Sequence, residues 1–301
     1  MSPTAPIRAL VTGADGNLGR KLIAALEERP WCAGIVALDR AFAPDRPSRL
    51  PKVVEIEADL TVPSPALDDA AAQTDAVVHL AARNPYPDAS WADGAASFDM
   101  TLNVAEAMAR TASGAPKRFV FASSNHVMGG YKDEDPGLAP GTLTTDLAPR
   151  PGTRSGPGDV PRAYAAAKLM GERLLAAKSA AGGLTGVSLR IGWCQPGENH
   201  PRTLNAGGVP GGPEDVGPRA PGAFGASRDL AWFRAMWLSD RDFVGAVTAA
   251  LTADASVWPT PAIVVNAMSG NAGMPWDLAP MHALLGHSPR DDVWRELQRT
   301  R

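Results

Sequence analysis

The chain has 301 residues, 45% of them hydrophobic and 20% charged, with a formal net charge of −3. That composition is ordinary for a globular protein, and the weak charge gives no electrostatic basis for nucleic acid or an anionic membrane as partner. Two cysteines, Cys32 and Cys194, can build neither a disulfide framework nor a four-thiolate centre, and the five histidines are scattered, so no metal is expected. The opening Met-Ser-Pro-Thr-Ala-Pro has no basic, apolar, small-residue leader, and no run approaches the roughly 18 apolar residues of a membrane span. The expectation is a soluble cytoplasmic protein.

Short β-branched runs at 7–12, 34–39, 52–57, 76–80, 117–123 and 184–191 alternate with Ala-rich helical stretches at 18–28, 64–72, 95–111 and 163–179. Near-continuous apolar strands separated by helices predict an α/β fold, a Rossmann-type doubly wound parallel sheet covered on both faces. No internal repeat of 20–50 residues is present, which excludes a solenoid. Two stretches break the alternation: 130–160, and 201–227 with paired glycines at 207–208 and 211–212. Loops this long inside a compact domain are lids, binding loops or tolerated insertions. Beyond Trp232, a helix at 242–253, one strand at 262–267 and short helical pieces are too little for an autonomous core and predict a small cap on the carboxyl edge of the sheet.

The first strand runs into Gly13-Ala14-Asp15-Gly16-Asn17-Leu18-Gly19 as a helix begins. In this G-x-x-G-x-x-G spacing the first glycine permits a tight turn, the second admits a pyrophosphate to the backbone, and the third lets helix and strand pack closely. The helix start then offers unpaired N–H groups and a positive dipole end, with Asn17 and Leu18 at the phosphates. Asp39 ends the second strand twenty residues after Gly19, where a carboxylate accepts both ribose hydroxyls of an adenosine and repels a 2′-phosphate. This favours NAD over NADP. Arg40 next door is the counter-reading, and we take it as a solvated loop arginine. Asp59 and Leu60 are placed to meet the adenine; Leu80, Ala81 and Ala82 are small enough to lie against the cofactor, as is Ile191 at the end of the sixth strand; and His79 reads as a packed core histidine.

The fifth strand delivers Ser123 and Ser124 at its carboxyl end, where open α/β sheets bind ligands. Forty residues later a helix carries Tyr164-Ala165-Ala166-Ala167-Lys168. Positions i and i+4 share a face, so the ammonium lies near the phenol and favours its ionised form. Tyr164 then exchanges a proton with a substrate hydroxyl while Ser124 holds the same oxygen. Residues 1–192 therefore read as an NAD-binding domain bearing Ser124, Tyr164 and Lys168, and 193–301 as a small substrate-binding lobe with an inserted loop at 201–227.

Together these residues resemble the extended short-chain dehydrogenase/reductase family, which also contains sugar-nucleotide epimerases and dehydratases. Ser123-Ser124-Asn125-His126-Val127-Met128-Gly129-Gly130-Tyr131 is similar to the Ser-Ser-Asn-His-x-x-Gly segment of uronate dehydrogenases. Arg190-Ile191-Gly192-Trp193-Cys194 and Trp237-Leu238-Ser239-Asp240-Arg241-Asp242-Phe243 resemble their Arg-Ile-Gly-Ser-Cys and Trp-x-Ser-x-x-Asp-Phe. The resemblance implies oxidation of a hexuronate C1 hydroxyl with NAD as hydride acceptor, Asn125 and His126 on sugar hydroxyls, an arginine on the carboxylate, and a homo-oligomer. Arg202, twelve residues after Arg190, is the arginine expected for the carboxylate, with Arg228 and Arg234 as competitors. The chain departs from the pattern at Trp193, where those enzymes have a serine, at Ala81-Ala82-Arg83-Asn84-Pro85 in place of a glycine-rich run, at Ser97, and at the insertion itself. The expected substrate is accordingly a sugar acid or related polar alcohol. The alternatives are an NAD-retaining epimerase or dehydratase, disfavoured by the small carboxyl-terminal lobe, and a silent cofactor-binding protein, disfavoured by the intact Tyr164 and Lys168.

Overall fold

The computed structural model describes residues 5–44, 51–83, 89–134, 138–152, 160–205 and 228–299. Its strands are β1 (Ile7–Thr12), β2 (Cys32–Asp39), β3 (Val53–Glu57), β4 (Ala76–His79), β5 (Lys117–Ser124), β6 (Leu184–Ile191) and β7 (Ala262–Ala267). Its helices are α1 (Asn17–Glu27), α2 (Pro65–Ala72), α3 (Trp91–Arg110), α4 (Tyr131–Glu134), α5 (Val160–Ala180), α6 (Arg228–Ala235), α7 (Asp240–Thr252), α8 (Ala279–Leu285) and α9 (Val293–Gln298). The seven strands form one parallel sheet in the order β3-β2-β1-β4-β5-β6-β7, the Rossmann-type arrangement expected.

The apolar character of the strands follows from burial on both faces. On one face Val11, Val120, Val187 and Val265 pack with Leu22 and Ile23 of α1 and Phe243 and Val247 of α7. On the other, Leu10, Val77, Phe119 and Phe121 pack with Leu67 of α2, Val104 and Met108 of α3, and Leu175 of α5. The apolar strand expected within a small cap on the carboxyl edge, β7, instead extends the main sheet beside β6, pairing Ile191 with Ala267. Its residues and those of α7 complete the same core as β1 and α1, so the last third of the chain closes one face of the sheet.

Helix boundaries follow local chemistry. Helix α3 starts at Trp91, four residues before the expected 95, because Ser90 and Asp93 form a reciprocal capping box that supplies two otherwise unmet backbone groups. Ser64 caps α2 and Ser239 caps α7 more simply, each accepting one backbone N–H. The topological reversal lies between β1 and β4, because β2 and β3 extend one way and β5 to β7 the other. Carboxyl ends of strands at such a reversal leave a crevice into which neither connection folds back.

The glycine loop at that crevice is sterically determined. Gly13 has φ +67°, and a Cβ on it would lie 2.8 Å from the Ala81 nitrogen. A Cβ on Gly19 would lie 2.2 Å from the Gly13 carbonyl oxygen and 2.7 Å from the Ala14 Cα, both rigid backbone. Gly19→Ala is therefore expected to destabilise the protein by about 1–3 kcal/mol, the usual scale for forced overpacking. Denaturant unfolding reads this directly, and a wild-type midpoint in the variant would refute the close-packing argument.

Candidate functional site

Two adjoining cavities open along the crevice. One, of about 380 Å³, is lined by Gly13, Asp15, Gly16, Asp39, Arg40, Ala41, Ala58, Asp59, Leu60, Leu80, Ala81, Ala82, Arg83 and Met100. The other, of about 350 Å³, is lined by the glycine loop from Asn17 to Gly19 and by Ser124, Asn125, His126, Tyr164, Ile191, Gly192, Trp193, Cys194, Pro196, Phe233 and Met236. Gly13, Gly16, Leu80, Ala82 and Arg83 line both, so the two form one cleft with an acidic end and a tyrosine end. That shape fits an extended dinucleotide crossing the start of α1, and every residue expected to hold NAD other than Lys168 lines it.

At the acidic end, Asp39 accepts hydrogen bonds from the Asp15 N–H at 2.9 Å and the Arg40 N–H at 2.7 Å. These anchor the carboxylate and leave lone pairs for further donors. Asp15, between the glycines, itself accepts from the Ala43 N–H and from Arg20, so it ties the loop after β2 to the glycine turn. Asp59 accepts from the backbone and hydroxyl of Thr61, which lowers its carboxyl pKa. His79 is fully buried, its nitrogens bonded to Thr12 Oγ1 at 2.7 Å and Thr101 Oγ1 at 3.1 Å, as a core histidine should be.

At the other end, Ser124 is buried at the close of β5, and its Oγ accepts the His126 N–H at 3.1 Å. Its hydroxyl proton is left to point elsewhere. Asn125 Nδ2 donates to the Ile191 carbonyl at 3.0 Å, which fixes the turn after β5 against the end of β6. The His126 ring meets Tyr164 edge-on at 5.9 Å between centroids. Helix α5 places the Lys168 Nζ 5.5 Å from the Tyr164 ring centroid, bonded to the Ala122 carbonyl at 2.7 Å. Desolvation of this buried ammonium lowers its pKa from 10.5 to about 8. Desolvation likewise holds His126 at about 4, so it is neutral at pH 7. Burial pushes the Cys194 thiol up, which removes it as a nucleophile.

Three groups, one behind the cleft and two lining it, were not singled out from the sequence. Glu172, four residues beyond Lys168 and so on the same helix face, accepts Ser123 Oγ at 2.5 Å and both Nε and Nη2 of Arg190 at 2.9 Å. The pair is buried, each side chain 3% exposed. The i, i+4, i+8 spacing of Tyr164, Lys168 and Glu172 was the available signal. Phe233 and Met236 were also missed, since they follow the aperiodic insertion. With Trp193, whose ring meets that of Phe233 edge-on at 5.0 Å, they form an apolar part of the cavity that Ser124 and Tyr164 also line.

The expected carboxylate arginine is not brought into the cleft. Arg202 sits on a 3₁₀ turn, Pro201–Thr203, packed against α9, and its Nη2 donates to the Arg299 carbonyl at 2.8 Å. A carbonyl left unmet at a helix end competes well for a guanidinium. Arg234 is buried on α6 and lines neither cavity; the Arg228 side chain and residues 206–227 of the inserted loop fall outside the described residues. In the other long loop, the Arg150 N–H donates to the Val127 carbonyl and the Gly152 N–H to the His126 carbonyl, so the loop does pack on the site. Among the described residues no His, Cys, Asp or Glu cluster suits a metal, and no helix is long and apolar enough to cross a membrane.

Two imidazoles held neutral by burial make stability depend on pH. His79 is lowered to about 3, by desolvation first and by the Lys168 charge second, and His126 to about 4, against an ordinary 6.5. Between those values and 6.5 the unfolded chain binds more protons, so stability rises with pH through that window and levels off above it. Thermal unfolding from pH 4.5 to 7.5 should show this slope, and His79→Asn should reduce it, leaving the His126 part; an unchanged slope would disprove the buried-neutral assignment of His79.

Comparison with known proteins agrees with this geometry. The sequence profile of the NAD dependent epimerase/dehydratase family matches residues 9–195. Among curated proteins no sequence matches significantly. Similar solved structures include MoeE5 in complex with UDP-glucuronic acid and NAD (23% identity, 96% of each chain, TM-score 0.62). Others are a nucleoside-diphosphate-sugar epimerase from Agrobacterium tumefaciens (18% identity, 99% of this chain and 94% of that one, TM-score 0.65) and a UDP-glucuronic acid 4-epimerase from Bacillus cereus in complex with NAD (17%, 97% and 96%, TM-score 0.61). At these identities the likeness is one of fold. A glycine cradle, an acid at the end of β2 and a profile match over most of the sheet together place the chain in the NAD dependent epimerase/dehydratase family, with NAD as its cofactor.

Proposed function

We propose that the protein is an NAD-dependent dehydrogenase oxidising a hydroxyl of a sugar acid or related polar alcohol. The observation that carries this reading is the gathering of Ser124, Asn125, His126 and Tyr164 on one cavity, with the Lys168 ammonium buried beside the phenol. Tyr164 withdraws the hydroxyl proton as general base. Lys168, cationic below about pH 8, stabilises the phenolate through a low-dielectric gap. Ser124, whose Oγ already accepts a backbone N–H, donates its own proton to the substrate oxygen and holds it toward Tyr164. Asn125 and neutral His126 line the polar wall for further hydroxyls. NAD, when bound, supplies the hydride acceptor.

A second reading is an epimerase or dehydratase that retains NAD and regenerates it each turnover. The family and the likeness to sugar-nucleotide epimerases favour it. The size argument against it fails, because this chain covers 94–96% of the length of those epimerases. Net NADH formation separates the two readings. A panel of uronic acids, aldoses, secondary alcohols and UDP-sugars with NAD should give one NADH per substrate consumed for the dehydrogenase; conversion without NADH would establish the alternative.

Two substitutions test the assigned roles. Tyr164→Phe should lower kcat by about 10²–10⁴-fold while sparing NAD affinity, the range for losing a general acid–base group. Near-normal turnover in that variant would end the assignment. Asp39→Ala should weaken NAD binding by about 1–3 kcal/mol, as expected when hydrogen bonds to a charged partner are lost. Titration with NAD and NADP reads this, and wild-type preference for NADP would reverse the reading of Asp39 and Arg40.

A further inference from the structure

The cleft contains a cation that no role assigned above employs. Arg83, just past β4, lines both halves of the cleft together with Gly13 and Gly16 of the glycine loop, and so stands at its waist. Its backbone is held in place: the Arg83 N–H donates to Ser97 Oγ at 2.9 Å, and that hydroxyl donates in turn to the Asp93 carbonyl within α3. Arg83 is half-buried as a residue, yet among the described residues its guanidinium makes no hydrogen bond or ion pair. Asp59 and Asp93 lie close enough to feel its charge but do not pair with it.

The catalytic half of the cleft makes this cation conspicuous. Among the described residues lining that half, Arg83 alone carries a formal charge at pH 7, because burial keeps His126 neutral. The other arginines considered for anion recognition are turned away: Arg202 caps the Arg299 carbonyl, and Arg234 is buried without lining the cleft. A guanidinium gains most from a planar oxyanion that meets two of its donors at once.

The geometry points to Arg83 as the residue that grips an oxyanion at the waist of the cleft, either the carboxylate of the substrate or the pyrophosphate of the cofactor. Both present the same chemistry there, and the carboxylate source rests on the dehydrogenase reading above whereas the pyrophosphate source does not.

Isothermal titration of the wild-type, Arg83→Ala and Arg83→Lys proteins distinguishes the sources, with circular dichroism melting curves to show that the variants fold. NAD is titrated first; the NAD-loaded proteins are then titrated with glucuronate and with glucose as its neutral counterpart. Loss of a charge-assisted hydrogen bond corresponds to about tenfold or more in Kd. An NAD Kd weakened by that factor in Arg83→Ala, and partly recovered in Arg83→Lys, identifies the pyrophosphate. An unchanged NAD Kd with a tenfold loss for glucuronate and none for glucose identifies the carboxylate. If NAD binding stays within about twofold and no acid-specific loss appears, including the case where wild type binds no glucuronate, the assignment of Arg83 is overturned. Failure of the dehydrogenase reading shows separately, as absence of NADH from the substrate panel, and leaves the NAD titration intact as a test of Arg83.

Discussion

The buried Glu172–Arg190 ion pair, shared with Ser123, is the interaction on which the geometry of the cleft depends. It joins α5 to β6 and β5 at the level where both strands deliver residues to the cleft. Taking either charge out of water is costly, and only close pairing with satisfied geometry offsets that cost. Removal of one partner alone would leave a buried charge uncompensated, a loss of about 3–5 kcal/mol. Because Tyr164, Lys168 and Glu172 recur every four residues, the rotation of α5 that seats Glu172 on Arg190 also turns the phenol toward the cleft and the ammonium onto the Ala122 carbonyl. Anchoring and chemistry thus share one face of one helix.

The cleft that this anchoring serves is a consequence of sheet topology. Reversal of the winding between β1 and β4 opens a crevice along their carboxyl ends, and the glycine turn after β1 narrows it to backbone width. Charge is then distributed unevenly along it. Carboxylates of Asp15, Asp39 and Asp59 dominate one end, whereas the other is nearly neutral, polar in one part and apolar in another. A low local dielectric strengthens any charge that remains there, which is why the position of a single ammonium or guanidinium has large consequences.

The carboxyl-terminal third contributes support rather than a separate body. Trp193 and Trp237 pair as an isolated bridge, so the chain leaving β6 is held beside the chain leaving α6. Asn199 reinforces the junction by donating to the Leu238 carbonyl and to Asp240, while Asp240 also receives Lys21 of α1. The apolar wall is therefore braced against the same helix that presents the glycine loop.

Local signals in the sequence were enough for the seven strands and the longer helices, and for the glycine turn and the acid that line one half of the cleft, whereas α4 and α6 carry no periodic signal. Alternating apolar runs gave the seven strands, and glycines at fixed offsets after one strand, with an acid ending the next, are constraints of neighbouring residues on one another. The Tyr164–Lys168 spacing is likewise local, because one helical turn brings the two together. What the tertiary structure decided lies between distant segments. β7 has the composition of any buried strand, and only pairing with β6 shows that it extends the main sheet. Arg202 matches a family interval, yet the carbonyl that captures it lies 97 residues away in sequence. Phe233 and Met236 share a cavity with Tyr164 only because the chain leaving α6 pairs with the chain leaving β6, a contact that no periodicity encodes. Spacing along the chain determines which groups share a turn or a helix face, whereas the packing of one element on another determines which groups share a cavity.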